Sequence, residues 1–178
     1  MRIIGGKYKS RKIKYLKNDE IRPTSDNVRE AVFNMLEDVS NLKVLDLFAG
    51  SGSYGIEALS RGASRIHFND INRKAVSIIT ENISLLAENK KVIITNLDYN
   101  KALSKYLKEG LKFDLIFIDP PYYQGIYEQI LDLILPFLNT AGKIVVEVDK
   151  SLKIENLAKF QITKDKTYGK KRIIIINN

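Results

Sequence analysis

Residues 43–55 read Lys-Val-Leu-Asp-Leu-Phe-Ala-Gly-Ser-Gly-Ser-Tyr-Gly. Residues 44–48 form a short apolar run of the kind found in a buried strand. The glycines that follow, Gly50, Gly52 and Gly55, predict a tight turn into a helix, because glycine adopts backbone conformations that other residues avoid. A strand, a glycine-rich turn and a helix form the first unit of many open α/β sheets, which bind ligands where their strands end.

Strand and helix patterns alternate on both sides of this unit. A helix is predicted near residues 25–37, where Asn27 and Glu30 resemble a capping box. Further strands are predicted at residues 66–69, 92–95, 113–118, 143–148, 160–164 and 171–176, with helices near 73–89, 100–108 and 130–135. The last two strands are joined without a helical pattern, which predicts an antiparallel edge. The fold class is therefore α/β: a doubly wound, mostly parallel sheet of seven strands.

The beginning of the chain has a different pattern. Residues 1–20 alternate weakly between polar and apolar side chains, and Gly5-Gly6 predicts a turn or bulge. We predict a small β-hairpin appendage at residues 1–20 and one domain at residues 21–178. The total of 178 residues suits a single domain.

Composition excludes several classes of chemistry. The chain has no cysteine, which rules out disulfides, thiolate metal sites and a thiol nucleophile such as the one that starts pyrimidine C5 methylation. The one histidine, His67, is expected at a sheet edge or on the surface, and we expect no metal site. No apolar run is long enough to cross a bilayer, and residues 1–7 lack a secretory signal. We expect a cytoplasmic monomer.

The formal net charge is +8, which favours a polyanionic partner. Cations crowd the beginning of the chain, interleaved with Tyr8 and Tyr15: they are Arg2, Lys7, Lys9, Arg11, Lys12, Lys14 and Lys17. Such a run suits phosphate binding and base stacking, but it also suits a solvated hairpin edge that discourages aggregation. The candidate RNA-binding residues are Arg2, Lys7, Arg11, Lys12, Arg22 and Arg29. The last two belong to the predicted helix near residues 25–37 and the stretch before it, and they would contact either the RNA backbone or a bound cofactor.

Acidic residues follow the first three predicted strands. Asp46, directly before the glycine turn, would repel a phosphate but can hold a cationic amino-acid group, which favours S-adenosylmethionine over NAD. Asp70 can accept hydrogen bonds from ribose hydroxyls, or it caps a helix; Asp98 can accept one from an adenine amino group, or it is a loop or cap residue. The candidate cofactor-binding residues are Asp46, Phe48, Ala49, Gly50, Ser51, Gly52, Asp70, Ile71, Leu97 and Asp98.

Asp119-Pro120-Pro121-Tyr122 follows the most hydrophobic predicted strand. The two prolines remove backbone donors, so the loop offers mainly acceptors. The Asp119 carboxylate and the Pro120 carbonyl can accept hydrogen bonds from both protons of an amino group on a base and turn its lone pair toward a methyl donor. Tyr122 offers a flat face for an extruded base. These four residues are the candidate catalytic residues.

With these motifs the chain resembles the RsmD family of bacterial ribosomal RNA guanine-N2 methyltransferases along essentially its whole length. The matching stretches are residues 2–6, 22–24, 28–34, 45–52, 57–63, 119–122 and 168–169. The resemblance implies a class I methyltransferase fold and transfer from S-adenosylmethionine to one guanine of 16S rRNA, of the guanine-966-N2 type, in an assembled or assembling small ribosomal subunit. The family usually has glutamate where this chain has Asp70.

Two other interpretations remain open from the sequence. An adenine-N6 methyltransferase shares the proline motif, but it would normally carry a target-recognition domain for which this chain has no room. A non-catalytic RNA-binding protein on a methyltransferase scaffold would have no evident need for all four of Asp46, Asp70, Asp98 and Asp119.

Overall fold

A computed structural model describes residues 1–16, 25–121, 126–154 and 157–178. Its helices are α1 (Asp26–Leu36), α2 (Ser53–Ser60), α3 (Arg73–Leu86), α4 (Tyr99–Lys108) and α5 (Ile126–Ile134). Its strands are β1 (Lys43–Asp46), β2 (Arg65–Asn69), β3 (Val92–Thr95), β4 (Phe113–Ile118), β5 (Leu138–Asp149), β6 (Gln161–Tyr168) and β7 (Lys171–Asn177). Short 3-10 turns cover Asn89–Lys91, Leu135–Phe137 and Leu157–Lys159. Within the described ranges, no helix has both the length and the apolar character that a membrane span requires.

All seven strands form one sheet in the order β3-β2-β1-β4-β5-β7-β6. The first five strands pair in parallel, whereas β7 is antiparallel to both β5 and β6. The doubly wound sheet with an antiparallel edge is therefore confirmed. The strand order reverses between β1 and β4, and such a reversal opens a crevice at the carboxyl ends of the strands.

Alternating side chains of the strands build a core on each face of the sheet. Val44, Ile66 and Phe117 pack with α1, α2 and α3 on one face, whereas Leu45 and Ile116 pack with α4 and α5 on the other. Both faces are covered, which explains why the central strands read as almost continuous apolar runs.

The N-terminal segment, residues 1–16, doubles back on itself through an isolated bridge and not through paired strands, and the β-hairpin over residues 1–20 stays a prediction. Its two arms form one antiparallel bridge, between Arg2 and Lys12, and Ile3 N donates to Arg11 O at 2.9 Å. Ile3, Tyr8 and Ile13 are buried in the core on the face of α1 to α3. The segment thus shares a core with the sheet, and the domain boundary predicted near residue 20 falls outside the described residues.

His67 is not at a sheet edge or on the surface, contrary to expectation. It lies in β2 between β1 and β3, with 4% of its surface exposed and its ring against those of Tyr106 and Phe113. Burial and the neighbouring Arg65 lower the pKa of His67 to about 4. His67 is therefore a neutral core residue near pH 7.

Candidate active site

The parallel strands end along one side of the sheet, the carboxyl edge, which begins with Asp46 at the end of β1. The Asp46 side chain is buried, with 4% of the residue exposed, and its Oδ2 accepts a hydrogen bond from Gly55 N at 3.0 Å. Burial raises the pKa of the Asp46 carboxyl to about 7, and the nearby Asp70 contributes to the rise. A carboxyl held in this way favours a cation as its neighbour.

The glycine turn is fixed to the end of β2. Gly50 and Gly52 have φ values of 53° and 79°, a region that glycine enters without steric cost. Gly50 N donates to Asp70 Oδ2 at 2.7 Å, and Ala49 N donates to Asn69 O at 2.9 Å. The structure therefore brings the turn and Asp70 together as predicted.

Asp70 is not the N-cap of α3. Asn72 caps that helix by accepting a hydrogen bond from Lys74 N, while Asp70 Oδ1 accepts one from Asn72 N at 2.8 Å. Ile71, between them, is 69% exposed. An exposed apolar side chain beside a carboxylate suits a ligand with both a flat apolar ring and hydroxyl groups.

The predicted residues after β3 and β1 lie at the same edge. Asp98 is the N-cap of α4 and accepts a hydrogen bond from Asn100 N at 2.9 Å. The cap interpretation is therefore confirmed, and the contact with an adenine amino group stays a prediction. Leu97 and Phe48 are half-buried, and the Phe48 ring lies 5.5 Å from that of Tyr99.

Two asparagines that we did not predict hold the carboxyl edge together. Asn69 Nδ2 donates to Leu47 O at 3.2 Å and to Leu97 O at 3.0 Å. Asn96 Nδ2 donates to the carbonyls of Asp70 and Ile71, at 2.8 and 2.9 Å. These bonds link the loops after β1, β2 and β3, although nothing in the local pattern indicates it.

The proline motif follows β4 at the centre of this edge. Asp119 is half-buried, Pro120 is buried and Pro121 is exposed, while Tyr122 lies outside the described residues. Burial raises the pKa of Asp119 well above its usual range, and the charge of Glu147 adds to the rise. Asp46 acts in the same direction and Lys171 opposes it.

Glu147 is a further residue of this site that the sequence analysis missed. Ile118 pairs with Val146 across β4 and β5, so Glu147 lies level with Asp119. It is 1% exposed; its Oε2 accepts a hydrogen bond from Tyr54 Oη at 2.6 Å, and Lys171 Nζ lies 2.6 Å from its Oε1. The acidic cluster of Asp46, Asp119 and Glu147 thus has Lys171 as a partner inside the protein.

Four of the predicted RNA-binding cations, Arg2, Lys7, Arg11 and Lys12, lie in the N-terminal segment. Arg2 pairs with Asp26 at 3.1 Å and Lys7 with Glu88 at 3.1 Å, although both side chains are largely exposed. The Arg11 guanidinium lies over the Tyr8 ring, 5.0 Å from its centre. Lys12 is exposed, and Arg22 lies outside the described residues.

Arg29 corrects an expectation. Only 1% of it is exposed, and its Nη2 donates to Arg2 O at 2.6 Å and to Asp26 Oδ1 at 2.9 Å. Its Nε lies 3.7 Å from Glu57 Oε2. The guanidinium is therefore occupied inside the protein, where it cannot also contact RNA.

Comparison with known proteins agrees with this geometry. A family model described as "Conserved hypothetical protein 95" matches residues 1–177. The protein "Ribosomal RNA small subunit methyltransferase D" of Haemophilus influenzae is 33% identical over 178 residues, which is 95% of this chain and 89% of that protein. The YlbH protein of Bacillus subtilis is 37% identical over 95% of this chain and 94% of its own length. The chain belongs to the RsmD family.

Solved structures show the same fold. The yhhF protein of Escherichia coli superposes with a TM-score of 0.85 at 26% identity, over 100% of this chain and 97% of its own. SMU.776, solved in complex with SAH, superposes with a TM-score of 0.73 over 85% of this chain and 48% of its own, at 14% identity. The sheet and helices are therefore those of a Rossmann-like class I methyltransferase.

One stretch that marks the RsmD resemblance, residues 57–63, anchors the N-terminal segment. Glu57 is 1% exposed, and its carboxylate accepts hydrogen bonds from Ile4 N at 2.8 Å and Gly5 N at 2.7 Å. It also accepts one from Arg61 Nε at 2.8 Å. These residues therefore have a structural role that the motif alone did not indicate.

Proposed function

We propose that this protein transfers a methyl group from S-adenosylmethionine to the 2-amino group of a guanine in 16S rRNA of the small ribosomal subunit. The observation that carries the proposal is the position of Asp119-Pro120-Pro121, which follows β4 at the carboxyl edge. Asp46 lies on the adjacent strand β1, next to the glycine turn. Membership of the RsmD family supports ribosomal RNA as the substrate.

The acidic cluster fits the cofactor because S-adenosylmethionine carries a sulfonium and an ammonium cation. Asp46 and Asp119 both have raised pKa values, with burial as the first cause, so a cation beside them favours their ionised forms. Asp70 would accept hydrogen bonds from the ribose hydroxyls, and Ile71 would pack against the adenine. Asp98 would contact the adenine amino group with the oxygen lone pairs that its capping bond leaves available.

The residues of the proline motif would hold and orient the amine. Asp119 and the Pro120 carbonyl accept hydrogen bonds from its two protons, and Tyr122 supplies the stacking face that the sequence predicts. The cofactor supplies an electrophilic methyl: an N–C bond forms as the S–C bond breaks. The amine becomes acidic on methylation, and Asp119 or water takes its proton. Positioning of two bound reactants contributes about 7–11 kcal/mol at best.

The test is methyl transfer to small ribosomal subunits from a strain that lacks the endogenous enzyme. Labelled S-adenosylmethionine is supplied, and the RNA is digested to nucleosides. We expect N2-methylguanosine. N6-methyladenosine would instead support the adenine-N6 alternative. Absence of transfer to the subunits, to free 16S rRNA and to DNA would contradict an enzymatic function.

A further inference from the structure

We propose that four lysines at the open end of the β5–β7 pair form a second RNA-binding surface beside the active site. This basic rim consists of Lys150 and Lys153, which follow β5, Lys166 near the end of β6, and Lys170 in the turn before β7. The inference rests on the proposed function, since it assigns a second contact to the same RNA.

Strand register places the rim next to Asp119. Asp119 is level with Glu147, and β5 continues two residues further, to Asp149, which pairs with Lys171 of β7. At about 3.3 Å per residue, the end of β5 projects roughly 7 Å beyond the level of Asp119. Lys150 N donates to Lys170 O at 2.8 Å, so these two lysines are neighbours where β5 ends and β7 begins.

The rim lysines have exposed side chains that form no salt bridge in the described parts of the chain. Asp165 forms a two-point pair with Arg172 at 2.9 and 2.7 Å. Asp149 accepts hydrogen bonds from Ser151, and the charges of Lys171 and Lys170 also lower its pKa. In the N-terminal segment, by contrast, Arg2 and Lys7 already pair with carboxylates. The rim therefore offers an exposed positive surface whose lysines form no salt bridge among the described residues.

This chemistry suits the phosphates on either side of an extruded guanine. A base that leaves its stack to reach Asp119 brings its flanking phosphates to the walls of the crevice. Lysines bind phosphates as point charges and without sequence preference. The rim would thus bind the backbone of the RNA while the proline motif binds the base.

Binding of an unmodified 16S rRNA transcript, measured against KCl concentration, tests this assignment. The variant Lys150→Gln/Lys170→Gln removes two rim charges. The matched control, Lys108→Gln/Lys112→Gln, removes two exposed charges where α4 ends and β4 begins, at the opposite edge of the sheet. Each lost phosphate contact lowers the magnitude of the salt slope by about 0.7–0.9, so the rim variant should lose about 1.4–1.8 from the slope. With affinity at 1 M salt unchanged, this corresponds to a loss of about 25- to 60-fold in affinity at 0.1 M salt.

Methyl-transfer kinetics separate the two proposals. We expect the rim variant to raise KM for RNA while kcat and S-adenosylmethionine affinity stay near wild type, and the control variant to behave as wild type. An unchanged salt slope in the rim variant, or an equal loss of slope in the control variant, would overturn the assignment of the rim as an RNA-binding surface. The proposed function would still stand if wild type formed N2-methylguanosine. If wild type methylates no RNA, both proposals fail.

Discussion

At the level of single side chains, the carboxyl edge brings three acidic groups together, one of which, Glu147, is paired with Lys171. In the proposed reaction, Asp119 acts on the amine as it becomes pyramidal, an interaction stronger in the transition state than in the ground state. Asp119→Ala should therefore lower kcat by about 10²–10³, by analogy with lost oxyanion-hole donors, and change S-adenosylmethionine affinity much less. Single-turnover kinetics with calorimetry measure both. Asp119→Asn keeps one acceptor and should lose less activity than Asp119→Ala.

Glu147 should act on the reaction through the charge state of Asp119. Its negative charge contributes to the raised pKa of Asp119. In the proposed reaction the active form of Asp119 is the carboxylate, so the rate should rise with pH through that pKa. Glu147→Gln removes the charge and should move the rising limb of kcat to lower pH. Tyr54→Phe removes the hydrogen bond to Glu147 Oε2 but keeps the charge, and should leave the limb in place. If the rising limb of kcat lies at the same pH in wild type and in Glu147→Gln, Glu147 does not act through the charge state of Asp119.

Local sequence reveals some of these residues and conceals others. Asp46 and Asp119 were predicted because each adjoins a motif that marks the end of a strand. Glu147 and Lys171 meet only through the register of β4, β5 and β7, which no short stretch encodes. Arg29 was assigned wrongly because the helical pattern did not reveal that its partner would be Glu57, a buried carboxylate on another helix.

Among the elements, the N-terminal segment depends on its attachment to α2. At Gly6, where φ is 73°, an added Cβ would lie 1.9 Å from Ser60 O. Gly110 has a similar φ of 62° with no atom within 4 Å of an added Cβ. Both Gly→Ala variants would incur the left-handed strain of roughly 1–2 kcal/mol, but only Gly6→Ala would also force two backbones apart.

Gly6→Ala should therefore be clearly less stable than Gly110→Ala. Each kcal/mol corresponds to about 2–4 °C in Tm for a chain of this size, and the clash should add several degrees to the loss. Thermal unfolding of the two variants and wild type measures the difference. Equal losses of Tm in both variants would mean that the N-terminal segment moves away from α2 without a free-energy penalty.

Element boundaries show where pattern succeeds. Strands β2, β3 and β4 were predicted to within one residue, because buried parallel strands read as nearly continuous apolar runs. By contrast, β5 begins five residues earlier than predicted and β6 ends four residues later. The cap of α1 was misassigned: Ser25 accepts a hydrogen bond from Val28 N at 3.3 Å, where we expected Asn27. Capping residues satisfy the same backbone donors from several positions, so sequence alone identifies the helix better than its first residue.

Across the whole molecule, the acidic cluster should make the free protein sensitive to pH. The folded-state pKa of Asp46 is about 7, above its ordinary value of 3.8, so between these values the folded state binds this proton more tightly than the unfolded state. The contribution of Asp46 to stability therefore falls as pH rises from about 4 through 7. The free-energy penalty of ionising the buried Asp46 is fully present at pH 8, and a bound cation should reduce it.

Asp46→Asn should accordingly stabilise the protein without ligand at pH 8. At about 1.4 kcal/mol per pKa unit, the rise from 3.8 to about 7 sets the gain at no more than about 4 kcal/mol, or roughly 8–16 °C in Tm. It should shrink as the pH is lowered to 5, because wild-type Asp46 is then mostly protonated. Addition of S-adenosylmethionine should raise the Tm of wild type more than that of the variant, since only wild type offers the cation a carboxylate. A variant no more stable than wild type at pH 8 would show that Asp46 is ionised without penalty and remove burial as the reason for a cationic ligand.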